Sequence, residues 1–230
     1  MSYSRWQAQG NVYLLTAEPG LTAARVRRDV GDADGILEVV ASGPDWAEIL
    51  IWNPDGSTAE LSGNGTRIAA RWLAERTGAE SVRIRVGPRE VVARMLPDGL
   101  VEQDMGEVAV YERERVAGLD VTSVSVGNPH AVVGGDPNEI GRLGPLLEAH
   151  PRFPGRTNVQ VARVDGPGEV TARVWERGVG ETPSSGTSAV AVAAATHGPG
   201  EVVVHFPGGD LRVRLEQGRA YLIGPAERVE

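Results

Sequence analysis

The sequence predicts an α+β fold of two pseudo-symmetric lobes, each a curled, mostly antiparallel sheet around a central helix. Three observations carry that expectation. Segments recur in order at nearly constant offset: Gly10-Asn11 in "QGNVYLL" as Gly127-Asn128 in "VGNPHAVV", Trp52 as Trp175, "VRIRVGPREVVARM" from Val82 as "VVVHFPGGDLRVRL" from Val202, and "DGLVEQDMGE" as "QGRAYLIGPA". Internal repetition of this kind is the signature of a repeated architecture. Short alternating strands with frequent Gly and Pro fill most of each half. Each half also holds one well-marked helix stopped by a glycine. The halves are placed at residues 1–114 and 115–230, with an active cleft between them and a final strand able to return to the first lobe.

Taken in chain order, "LTAARVRRDV" reads as a small helix and "EILIW" as a strand. The run "GTRIAARWLAERTG", residues 65–78, reads as the first main helix. "VRIRV" and "VVARM" flank Gly87-Pro88 in the manner of a hairpin. In the second half "EIGRLGPLLEAH" is the matching small helix and "TARVW" the matching strand. "TSAVAVAAATHG", residues 187–198, is apolar all round, which predicts burial on every side. "EVVVHF" and "LRVRL" close a second hairpin around Pro207-Gly208-Gly209.

Composition removes several classes of function. The chain has 230 residues, no cysteine and a net charge of −8, with an ordinary apolar fraction of 41%. Disulfides and thiolate chemistry are excluded, and the acidic balance speaks against nucleic acid. No apolar run reaches membrane length and the start "MSYSRWQAQG" has no signal core, so a cytoplasmic location is expected. Every basic residue is Arg, which rules out a lysine Schiff base and covalent pyridoxal phosphate. His130, His150, His197 and His205 show no ligand spacing, so no metal site is expected. "GNGTR" and "GGDPNE" lack the lysine of a phosphate loop, and neither Ser62 nor Ser185 has the setting of an acyl-transfer nucleophile.

What remains is a twin turn. "WNPDGSTAELSGNGTR" and "WERGVGETPSSGTSA" each place a serine, Ser62 or Ser185, ten residues after a tryptophan. In both, Ser-Gly and a small polar residue then open an apolar run. Orphan N–H groups and the positive dipole end at such helix starts form a receptor for a carboxylate. Serine is also among the best N-cap residues, so capping alone accounts for a single Ser-Gly turn. Recurrence at matched positions, after long polar segments, points beyond capping.

"NPDGSTAELSGNGTRIAARWL" and "WERGVGETPSSGTSAVAVAAA" resemble the two signature segments of the diaminopimelate epimerase family. "SVGNPHAVV" and "HPRFPGRTNVQVARV" resemble two further segments in the same order, so the likeness spans essentially the whole chain. The resemblance implies a two-lobed fold, an isomerase of lysine biosynthesis, and cofactor-independent epimerisation at the α-carbon of an amino acid. It implies an amino-acid-like small-molecule carboxylate as partner and allows a homodimer. The family's two catalytic cysteines fall on Ser62 and Ser185. Backbone amides of Gly63, Asn64, Gly186 and Thr187 would bind the reacting carboxylate, and Asn53 and Glu176 would meet the α-amino group. Asn11, Asn128, Asn158 and Arg177 would line the distal part of the cavity. Glu176 and Arg177 are expected to be buried charges satisfied by a charged ligand.

This chain departs from the family at several points. Where the family has His-Gly-x-Gly-Asn-Asp-Phe, it has "QAQGNVY", and Ser188 stands at a usual glycine. Trimmed loops shorten it. A serine hydroxyl ionises far above a thiol and needs a helper; Glu60, Glu181 and His130 are the nearest by sequence. Four accounts follow: an engineered double mutant, an epimerase working through hydroxyls, a relative recruited to another isomerisation, cyclisation or elimination, and a binding protein without turnover.

Overall fold

A computed structural model describes residues 1–229. It divides into two compact units, residues 1–104 with 224–230 and residues 105–223. Residues 105–114, which the sequence expectation placed in the first lobe, therefore belong with the second unit.

In the first unit β1 (Ser4–Ala8) and β2 (Asn11–Thr16) form a hairpin, and α1 (Ala23–Asp29) leads to β3 (Gly35–Ser42), parallel to β2. β3 pairs antiparallel with β4 (Trp46–Trp52), which is followed by the short β5 (Thr58–Ala59). α2 (Gly63–Thr77) then crosses to β6 (Ser81–Val86), parallel to β4. β6 continues antiparallel into β7 (Arg89–Met95), and β7 into β8 (Val101–Glu107), whose residues from 105 on belong to the second unit.

The second unit repeats this order. β9 (Ala109–Val110) and β10 (Glu114–Val116) both pair with β11 (Leu119–Ser125), which forms a hairpin with β12 (Pro129–Gly134). α3 (Ile140–Glu148) crosses to β13 (Asn158–Gly166), parallel to β12. β13 pairs antiparallel with β14 (Glu169–Glu176), and β15 (Gly180–Thr182) follows. α4 (Gly186–Thr196) crosses to β16 (Gly200–Phe206), parallel to β14, and β17 (Gly209–Glu216) and β18 (Arg219–Gly224) complete the run. The last strand, β19 (Glu227–Val229), pairs with β1 and so lies in the first unit. Each unit thus has two right-to-cover faces: successive strand residues point to opposite sides, and both sides are buried.

The packing shows how. Leu37 of β3 joins the cluster around Ile68, Leu73 and Ile84, while its neighbour Ile36 joins Val26 and Val30 of α1. In the second unit Val132 packs toward Val190 and Val192 of α4, and Val133 toward Leu143 and Leu147 of α3. α2 touches β1, β2, β4, β6 and β7, and α4 touches β11, β12, β13, β14, β16 and β17. These contacts explain why Ala189, Val190, Ala191, Val192 and Ala193 can all be apolar: every one has zero exposure. The alanines favour a helix by propensity, and burial on every side supports the two valines among them.

The two main helices begin two residues and one residue earlier than the sequence predicts, at Gly63 and Gly186. Gly78 closes α2 in the left-handed conformation, φ 74°, with its N–H on the Ala74 carbonyl. Among the described residues no helix is long and apolar enough to cross a membrane.

A tight contact anchors α3. A Cβ at Gly144 would lie 2.6 Å from Trp175 Cγ, so the helix backbone rests directly on the indole. Gly144→Ala is predicted to lower stability by about 1–3 kcal/mol through overpacking, read as a lower urea midpoint at unchanged m-value. An unchanged midpoint would contradict this packing.

Candidate functional site

The two helix starts are built alike. Ser62 precedes α2 with extended backbone (φ −139°, ψ 120°), and Ser185 precedes α4 with nearly the same dihedrals (φ −150°, ψ 127°). The first N–H groups of a helix have no acceptor within it, so each turn offers amide donors at a positive dipole end. These are the amides of Gly63 and Asn64 in one unit and of Gly186 and Thr187 in the other. Gly65 cannot be enlarged easily, because a Cβ there would meet Leu37 Cδ2 at 3.1 Å and Ser62 Oγ at 3.3 Å.

A second correspondence sits beside the first. Asn11, opening β2, accepts on Oδ1 from the Asn64 amide nitrogen Nδ2. Asn128, just before β12, donates through Nδ2 to Thr187 Oγ1 at 3.4 Å. In both units an asparagine at the start of a strand is tied to the residue two places after the turn serine.

The serines themselves differ. Ser62 Oγ accepts the Gly65 N–H at 3.0 Å, an ordinary cap, and lies 3.2 Å from the Tyr13 hydroxyl. Ser185, 8% exposed, makes no cap hydrogen bond. The Glu176 carboxylate, nine residues before it, accepts from Thr182 Oγ1 at 2.6 Å. Burial holds the Glu176 carboxyl above the usual carboxylate range, and hydrogen bonding, from Thr182 first, pulls it partly back.

Buried polar groups brace both turns from behind. Arg67 is fully buried, its Nε donating to the Pro225 carbonyl at 3.2 Å and its Nη2 to Asn64 Oδ1. Burial brings its guanidinium down to about 10. Gln103, with its amide oriented to satisfy both ends, donates to the Gly63 carbonyl at 3.0 Å and accepts from Thr66 Oγ1 at 2.7 Å. In the second unit His130 Nε2 donates to Asn128 Oδ1 at 2.9 Å, and Nδ1 accepts from Gln160 Nε2 at 3.0 Å. Gln160 also donates to Ser188 Oγ at 2.9 Å, so the serine at the usual glycine position gains a partner.

The remaining expected residues are placed less uniformly. Asn53 turns into its own loop, with Nδ2 on Ser57 Oγ at 2.9 Å. Asn158 is buried, donating to the Pro129 carbonyl at 3.0 Å and accepting the Arg177 N–H at 2.9 Å. The expectation of two buried charges is corrected: Glu176 is half-buried, and Arg177 is exposed with Nη1 on the Gly155 carbonyl at 3.2 Å. It follows "WE" at the end of β14, where the chain turns outward through Gly178, so no charged ligand is required to satisfy it.

The helpers nearest in sequence are occupied elsewhere. Glu60 is exposed, Glu181 pairs with Arg173 at 2.7 Å, and His130 faces Asn128 and Gln160. The side chain that does approach a serine, Tyr13 beside Ser62, comes from the middle of β2. The signal for Tyr13 was its place at the usual phenylalanine of the opening segment, one hydroxyl larger.

Comparison with known proteins gives a family for the chain. A family model described as diaminopimelate epimerase matches residues 122–229. The diaminopimelate epimerase of Desulforudis audaxviator is 38% identical, covering 100% of this chain and 97% of that protein. That of Pelotomaculum thermopropionicum is also 38% identical, over 92% of this chain and 87% of its own.

The chain belongs to the diaminopimelate epimerase family.

That membership makes it an isomerase-family enzyme. A solved structure of a predicted epimerase from Pseudomonas aeruginosa has the same fold, with a TM-score of 0.77 at 16% identity, covering 99% of this chain and 96% of that one. So does a hydroxyproline epimerase from Agrobacterium vitis with bound trans-4-hydroxy-L-proline, TM-score 0.65, 16% identity, covering 99% and 88%.

His130 supplies a pH prediction. Burial drives its imidazole down to about 3 from the usual 6.5, with the Arg177 charge adding to the effect and the Gln160 hydrogen bond opposing it. The unfolded chain therefore binds more protons between those values. Stability present above about pH 6.5 is lost as pH falls toward 3, on the order of 4 kcal/mol in full. His130→Gln is expected to flatten the fall in urea midpoint between about pH 7 and pH 4.5. A slope identical to the wild type would contradict a neutral buried imidazole.

Proposed function

We propose that the protein is a cofactor-independent isomerase of amino-acid-type carboxylates, with diaminopimelate the first substrate to test. The reading rests on one observation above the rest. Both units carry an extended serine before a buried helix, with the residue two places on tied to a strand-start asparagine. Capping alone needs none of the second tie, and the Ser185 side chain makes no cap hydrogen bond.

The chemistry suits these donors. Breaking the bond to an α-proton leaves an electron pair that delocalises onto the adjacent carboxylate. Fixed N–H dipoles at a helix start stabilise charge that grows there in the transition state. In this reading the amides of Gly63, Asn64, Gly186 and Thr187 bind the reacting carboxylate. Ser62 and Ser185 occupy the positions of the family's proton-transfer groups, and Asn53 and Glu176 meet the amino group. Asn11, Asn128, Asn158 and Arg177 recognise the distal end of the substrate. The reaction proceeds through these two hydroxyls, and Ser62 has the Tyr13 hydroxyl 3.2 Å away.

Incubation of LL- or meso-diaminopimelate with the protein in D2O is expected to place deuterium at the α-carbon, followed by proton NMR. Ser62→Ala and Ser185→Ala should each slow that exchange by roughly 10²-fold or more, in the range of general acid–base contributions. Tight binding without exchange would sink the isomerase reading in favour of a binding protein. Exchange unaffected by either serine variant would remove the serines from the mechanism.

A further inference from the structure

One buried charge in the first unit has no counter-charge among the described residues. Arg67 is the fifth residue of α2, and helix side chains run back toward the N-terminus, so its guanidinium bears on the first turn. There it is fully buried, with Nε on the Pro225 carbonyl at 3.2 Å and Nη2 on Asn64 Oδ1. Both acceptors are neutral oxygens, and Nη1 reaches no acceptor among the described residues. Arg71, one turn later and nearer the surface, has Glu75 at 2.9 Å. Burial lowers the Arg67 guanidinium to about 10, which leaves it charged near neutral pH.

This placement is unfavourable for the free protein on three counts. An ionised group loses its hydration on burial, and here no carboxylate replaces it. The start of a helix is the positive end of its dipole, which repels a cation and favours an anion. The first turn of α2 holds no acidic residue to offset either effect. Nor does a buried helix behind a Ser-Gly turn need an arginine at this place. In α4 the same position, five residues after Ser185, is Val190, with zero exposure. A cation kept where burial, pairing and dipole all oppose it points to an anion that arrives from outside the chain. The amides of Gly63 and Asn64 lie in the same turn, and the Asn64 side chain is the group that Nη2 holds.

We infer that Arg67 is the buried counter-charge for a carboxylate held at the α2 turn, acting from behind Asn64 rather than by touching the ligand. This rests on the reading that the Gly63 and Asn64 amides bind an acid group, and it concerns the first unit alone. Arg67 is then a positioning residue with two effects. It fixes the Asn64 side chain, and its field favours an ionised acid over a neutral ligand of the same shape. Main-chain N–H groups hydrogen-bond a carboxylate and a carboxamide alike. A guanidinium without a partner of its own tells the two apart. The ligand class selected is a small molecule with an ionised carboxylate, and its amides are discriminated against.

The test uses the full chain and its Arg67→Met and Arg67→Lys variants, with meso-diaminopimelate as the charged probe and its diamide as the neutral one. Dissociation constants are measured by calorimetry, urea midpoints without ligand, and α-proton exchange in D2O on the same samples. Arg67→Met, which fills similar volume without charge, is expected to weaken diaminopimelate binding roughly tenfold or more. The preference for acid over diamide should shrink by as much. Its urea midpoint without ligand should equal or exceed that of the wild type, because an uncompensated buried charge has been removed. Arg67→Lys, which keeps the charge, should recover most of the lost affinity. Wild-type affinity in R67M, or equal losses for acid and diamide, would overturn the inference. So would an R67M protein that unfolds or has a lower midpoint, since Arg67 would then be a structural brace only. Exchange decides the other reading separately. Wild-type protein that binds but exchanges nothing would sink the isomerase reading, with the counter-charge still decided by the affinities. Wild-type protein that does not bind diaminopimelate would overturn both.

Discussion

The first turns of α2 and α4 impose the constraint from which the rest of the structure follows. A helix that is buried on several sides must still find partners for the N–H groups at its start, because an unpaired buried donor costs on the order of 1–3 kcal/mol. Two solutions are visible here. At α2 the Ser62 hydroxyl takes the Gly65 N–H, in the manner of most N-caps. At α4 the Ser185 side chain makes no cap hydrogen bond. The strands before each helix, the polar loops after Trp52 and Trp175, and the asparagines at Asn11 and Asn128 are arranged around those open donors.

This arrangement also accounts for the buried polar groups behind the turns. Arg67 and His130 are expensive to bury, and each is placed so that its hydrogen bonds reach a residue of the twin turns or its asparagine partner. Arg67 fixes Asn64 through its side-chain oxygen, and His130 fixes Asn128 in the same way. The imidazole needs to be neutral to do so, with one nitrogen donating and the other accepting, which is the state its burial favours. Rigid support of this kind is what preorganised donors require, since a misplaced amide stabilises developing charge poorly.

Much of this was legible in the sequence. The order of repeated segments announced the repeated pairings, because strand period and glycine-stopped helices are local properties that survive without tertiary context. Ser62, Gly63, Asn64, Ser185, Gly186 and Thr187 were readable for the same reason: a helix start is a local event. The partners were not. Tyr13 reaches Ser62 across 49 residues, and Gln103 reaches Thr66 across 37, distances that only strand registers determine. The Thr182 bond to Glu176 depends on the short strand β15 that brings Thr182 back beside Val174. Arg177 is exposed because the chain turns at Gly178, whose positive φ of 80° is a property of the turn and not of the charge beside it.

The central claim is that main-chain amides at both turns hold the acid group of a small molecule. The most direct measurement is a titration of 15N-labelled protein with meso-diaminopimelate, followed through the amide resonances of Gly63, Asn64, Gly186 and Thr187. The account predicts that all four move, saturate together and give one dissociation constant. Resonances that stay in place at saturation, or shifts confined to other parts of the chain, would contradict it.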